Sequence, residues 1–239
     1  MGGLISQMLQ STEFWSAIFG ALVGGLIALV AQRCEQNEAR RQREEDHKRA
    51  QQALAGSLLI KMMRIHSNYI GVVNYIEECF AEAAKKGMHD EPWRFVLPLA
   101  SLPLAVNFSS EEMGMLLAQR DDQVFNSMSE TDVLYNHFVG ALATLQVIRR
   151  DLMERIPPDK VYGDKGSVVL PREEYAALRP RMIEVNALIE QLRKDAHDGV
   201  KAAGSLLHRL QYLLRKRLDL PYKVGPVPEQ PASSERTEQ

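Results

Sequence analysis

The chain has 239 residues, 45% hydrophobic, 25% charged and 7% aromatic, with a net charge of −2. That balance excludes an intrinsically disordered chain and gives no global field for nucleic acid, so no nucleic-acid partner is expected. Cys34 and Cys79 are its two cysteines, too few for a disulfide framework and without metal spacing, and they are read as free thiols.

In chain order, residues 1–13 form a short N-tail. Phe14 to Gln32, FWSAIFGALVGGLIALVAQ, carries no charge and is followed at once by Arg33 and a dense charged band. It has about the length a helix needs to cross a hydrocarbon core of roughly 30 Å. A transmembrane helix over 14–32 is therefore expected. A signal peptide would open on basic residues, which this N-tail lacks. Arg33, Arg40, Arg41, Arg43, Lys48 and Arg49 follow the run, so the positive-inside rule places the N-terminus outside and the rest in the cytoplasm, at the inner membrane if the source is bacterial. Trp15, Arg33, Arg40, Arg41 and Arg43 are candidates for lipid headgroup contact. Small residues four apart, Ser16, Gly20, Gly24 and Ala28, with Ala17, Ala21 and Gly25 beside them, would let two helices approach closely, which makes them candidates for oligomerisation.

Residues 33–53 have high helix propensity and no apolar face, the pattern of a solvated stalk. Opposite charges four apart support it: Arg40 with Glu44, Arg41 with Glu45, Glu44 with Lys48, and Glu45 with Arg49. Apolar periodicity then begins. Leu54, Leu58, Met62, Ile65, Tyr69, Val72, Ile76 and Phe80 mark one face of a helix that continues from the stalk and ends near Gly87. Pro92, Pro98 and Pro103 exclude a regular helix between Glu91 and Phe108. This apolar segment reads as a connection over the end of a bundle, or as a surface for a protein partner at 92–108.

Ser109-x-x-Glu112 has capping-box spacing and opens a short helix. A longer helix is expected over Asp121 to Arg155, with a core of Val124, Met128, Leu134, Phe138, Leu142, Leu145, Ile148 and Leu152, stopped by Pro157 and Pro158. Residues 160–170 suggest a small hairpin, with Val161 and Tyr162 facing Val168 to Leu170 across Gly163-Asp164-Lys165-Gly166. The last helix runs from about Arg172 to Leu220. Leu178, Met182, Val185, Ile189, Leu192, Ala196, Val200, Ala203, Leu207, Leu210 and Leu214 give it heptad-like spacing. The tail over 221–239 is polar and Pro-rich, with the composition of a disordered segment.

Six histidines, at 47, 66, 89, 137, 197 and 208, form no HExxH, and no CxxC is present. No metal, cofactor or catalytic residue is expected. Arg193-Lys194-Asp195-Ala196-His197 is similar to the Arg and His pair of HEPN bundle nucleases, in which four to six residues lie between the two, whereas three lie between them here. A charged solvent-facing helix accounts for it. The basic turns at Arg215-Lys216-Arg217 suit a helix C-terminus.

The expected fold is all-α: one membrane helix, a stalk over 33–53, and an elongated bundle of about four helices over 54–220 with a small hairpin. The expected function is that of a non-enzymatic, single-pass membrane-anchored scaffold or interaction module that self-associates as a homo-oligomer. The alternative is an oligomeric membrane pore or membrane-disrupting effector gated by the bundle, a layout used in some bacterial defence systems. A HEPN-like nuclease is the third reading.

Overall fold

The computed structural model describes residues 12–88, 91–156, 161–162, 167–168 and 171–218. Among them are four α-helices: α1 (Thr12–Lys85), α2 (Ser110–Ala118), α3 (Asp122–Glu154) and α4 (Arg172–Leu218). Val161–Tyr162 (β1) and Ser167–Val168 (β2) form a two-residue antiparallel pairing, Val161 with Val168 and Tyr162 with Ser167. Residues 163–166, the turn of the expected hairpin, and Val169 and Leu170 lie outside the described residues, as do Pro157 and Pro158 and the tail beyond Leu218. The fold is an all-helical bundle.

The chain divides into two compact units, residues 1–52 and 53–239. In the first, α1 is helical from Thr12 and its described side chains are exposed at almost every position. The expected single-pass placement, N-terminus out and domain cytoplasmic, is corrected here. Among the described residues no helix is long and apolar enough to cross a membrane. The side chains of residues 12–15, 17, 18, 21–23 and 27 lie outside the described ones.

In the second unit, α1 presents its expected face: Leu58, Met62, Ile65, Tyr69, Val72 and Ile76 are all buried. It stops in a Schellman turn. Met88 N–H donates to Ala83 O at 2.9 Å and Gly87 N–H to Ala84 O at 3.0 Å, with Gly87 at φ +70°, the conformation glycine adopts without strain. α2 begins with a complete capping box: Ser109 Oγ accepts from Glu112 N at 3.2 Å, and Glu112 Oε2 accepts from Ser109 N at 2.7 Å. Asp121 caps α3 through Val124 N at 3.0 Å.

α4 lies antiparallel to α1, since Tyr69 meets Gly199, His66 meets Gly204 and Glu77 meets Arg193. Its buried row runs from Leu178 to Leu214 in threes and fours, as the heptad spacing predicts, with Val200 half-buried between Ala196 and Ala203. Pro180 sits inside its third turn on an exposed position, and the helix continues through it.

Between α1 and α2 the chain forms a short 3-10 turn at Pro92–Arg94 and then an irregular strap to Ser109. It does not cap the end of the bundle; it runs lengthwise. Leu97 O accepts from Tyr75 Oη at 2.7 Å, Leu99 O from Gln146 Nε2 at 2.8 Å, Leu104 O from Tyr135 Oη at 2.9 Å and Asn107 O from Lys61 Nζ at 2.9 Å. Residue numbers fall along α1 and α3 as they rise along the strap. It is therefore the return leg between two parallel helices, in the place where another bundle helix would lie. Prolines forbid a helix there, so its carbonyls need outside donors, and the flanking helices supply them.

Candidate functional site

The residues expected to mediate assembly lie on the first unit. Ser16, Gly20, Gly24, Gly25 and Ala28 are exposed on α1. A Cβ built on Gly20, Gly24 or Gly25 meets nothing within 4 Å. The side chains of Trp15, Ala17 and Ala21 lie outside the described residues. Large apolar side chains on the same stretch are open to solvent: Phe19 at 64%, Leu26 at 67%, Leu29 at 60% and Val30 at 55%. Arg33, Arg40, Arg41 and Arg43, expected to contact headgroups, are exposed as well. They take part in no ion pair among the described residues. Of the expected pairs four apart, Glu45 meets Arg49 at 3.5 Å, and Asp46 stands 3.8 Å from the same guanidinium.

In the second unit the structure brings together Arg193 and His197, one turn apart on α4, and adds the partner that the sequence did not reveal. Glu77 of α1 takes both Arg193 Nε and a terminal nitrogen at 2.7 Å, and His197 Nε2 lies 2.8 Å from its Oε1. The Arg193 guanidinium also stacks on Phe80, 4.2 Å from the ring centre. The hydrogen bonds from Arg193, opposed by partial burial and aided by His197, hold the Glu77 carboxyl down at about 2. The same bond raises Arg193 above its ordinary value. Both donors are thus committed to one carboxylate, an arrangement that clamps α1 to α4. No sequence signal pairs residues 116 positions apart.

Two buried charges sit where the strap and α2 join the bundle. The Arg149 guanidinium, 6% exposed, donates to Trp93 O at 2.6 Å and to Val96 O, and burial lowers its pKa. Glu112 is 2% exposed. Besides its cap it accepts from Ser57 Oγ at 2.6 Å and Lys61 Nζ at 2.7 Å. Burial works against its charge, yet these donors bring its pKa below the usual value. Asn136 adds a fork at the strap's far end: its Oδ1 accepts from Val106 N at 3.2 Å and its Nδ2 donates to Val106 O at 3.0 Å. On the 92–108 segment itself, Val96 and Val106 are buried while Leu97 and Leu104 stand 57% and 69% exposed.

Among the described residues no three His, Cys, Asp or Glu side chains are grouped to hold a metal ion. His66 packs against Gly204, and burial followed by the nearby His208 lowers its pKa. His137 and His208 are exposed and His47 bonds Gln51 at 3.1 Å. His89 is outside the described residues. No family profile, curated protein or solved structure matches this chain.

Proposed function

We propose that the protein is a non-enzymatic interaction module: a helical bundle that self-associates through its N-terminal helical segment. The observation that carries this reading is the row of exposed apolar side chains at Phe19, Leu26, Leu29 and Val30. Full burial of a Leu, Val or Phe contributes about 1.5–3 kcal/mol. The exposed part of four such residues therefore represents roughly 4–7 kcal/mol per copy, recoverable only against another surface. One feature of the second unit fits a binding role: its strap leaves Leu97 and Leu104 exposed and available to a protein partner. The pore and membrane-effector reading needs a span and is not carried forward.

Sedimentation velocity of the purified full-length chain tests the proposal. Wild type should sediment as a concentration-dependent oligomer, and L26N/L29N should shift it to monomer without loss of helicity. A wild-type chain that stays monomeric at high concentration removes the proposal.

A further inference from the structure

α1 carries two lines of residues at three- and four-residue spacing on opposite sides of the helix. The first is Leu26, Leu29, Arg33, Gln36, Arg40, Arg43 and His47, with Phe19 seven residues before Leu26 on the same side. The second is Gly24, Ala28, Ala31, Glu35, Glu38, Gln42, Glu45 and Arg49. They are offset by two positions, which at 3.6 residues per turn is about 200°. All of these residues are exposed. One side is therefore large and apolar, then basic; the other is small, then acidic. Arg49, the exception on the acidic side, is neutralised there by Glu45 and Asp46.

We infer that copies of this chain associate front to back, with parallel α1 helices in register. The basic line of one copy then faces the acidic line of the next. This rests on the self-association proposed above and specifies its geometry. In register, Arg33 meets Glu35, Arg40 meets Glu38 and Arg43 meets Glu45, each pair offset by only about 3 Å along the axis. The same register sets Leu26 and Leu29 of one copy against Gly24, Ala28 and Ala31 of the next. Neither alternative achieves this. A two-fold contact through the first line opposes arginine to arginine, and one through the second opposes glutamate to glutamate. An antiparallel front-to-back contact sets the apolar end of one helix against the charged end of the other. A front-to-back contact uses two different surfaces, so it is heterologous: it closes into a ring or extends as an array, and each copy keeps one free face until it closes.

Charge reversal separates these geometries. In the full-length chain, R33E/R40E/R43E makes both lines acidic and E35R/E38R/E45R makes both basic. Each variant alone should self-associate about tenfold more weakly than wild type or worse, because three attractive contacts become repulsive. Mixed one to one, they should recover assembly, since each basic line then finds an acidic one. Circular dichroism of each variant confirms that the helix is intact. If the glutamate reversals leave assembly unchanged while the arginine reversals weaken it, or if the mixture does not recover, front-to-back packing is wrong although self-association stands. A monomeric wild type overturns both.

Discussion

Gly199 should be one of the few helical positions in this protein where alanine is worse than glycine. In an unobstructed helix, Gly to Ala stabilises by about 1 kcal/mol, because the backbone loses less freedom on folding. At Gly199 the added Cβ would stand 2.5 Å from Cζ and 2.6 Å from Cδ1 of Tyr69. An ordinary contact begins near 3.4 Å, so the ring or the helix must retreat by most of an ångström. The ring has nowhere to go. Tyr69 is 5% exposed, edge-on to Tyr135 at 5.5 Å and tilted on Phe138 at 4.8 Å. Overpacking of this kind costs about 1–3 kcal/mol, and a rigid aromatic pushed against two others belongs at the upper end. After the helix gain is subtracted, Gly199→Ala should destabilise by about 1–2 kcal/mol. Gly71→Ala and Gly140→Ala supply the controls, since both positions are exposed in helices and open around the new Cβ. They should stabilise by about 0.5–1 kcal/mol. Urea unfolding followed by circular dichroism measures all three. A Gly199→Ala chain as stable as the controls would refute the close approach of α1 and α4.

Two further predictions concern charges. Arg149→Met should leave the Trp93 and Val96 carbonyls without their donor and cost about 2–3 kcal/mol, with amide exchange rising first along the strap. Glu77 titrates well below an ordinary carboxyl, at about 2, so its contribution is present above about pH 4.5 and is lost as pH falls toward 2. Partial exposure to solvent keeps that contribution within about 1 kcal/mol. Glu77→Gln should therefore unfold at the same pH 2 midpoint as wild type yet be less stable at pH 7. A difference that is constant across this range would mean that the Arg193 clamp does not depend on the Glu77 charge.

Much of the bundle was legible because its signals are local. Ser109 with Glu112, Asp121, Gly87 and the prolines fix helix ends within a few residues of where they lie. The heptad row on α4 is buried as its spacing demands. One core assignment failed by a single residue. Leu134 is 54% exposed, and its neighbour Tyr135 is fully buried. The spacing Met128, Tyr135, Phe138, Leu142 keeps one face, and Leu134 does not, but side-chain hydrophobicity favoured leucine. The tyrosine is tolerated there because its hydroxyl is bonded to Asn68 at 2.5 Å and to Leu104 O. Glu77, Glu112 and Arg149 were invisible as a group for a different reason. Each is paired across more than fifty positions of chain, a separation that carries no periodicity. The N-terminal run of small and apolar residues was legible as such, and Phe19, Leu26, Leu29 and Val30 on it are exposed, but its reading as a membrane span was not sustained.

The strap has a consequence for how this protein can change. Its contacts with the helices converge on main-chain carbonyls at Trp93, Val96, Leu97, Leu99, Leu104, Val106 and Asn107. Every amino acid offers that same acceptor. The helical donors therefore measure length rather than spelling. Side chains such as Leu97 or Leu104 can drift without unseating the segment, whereas insertion or deletion of one residue would put every later carbonyl out of step with its donor.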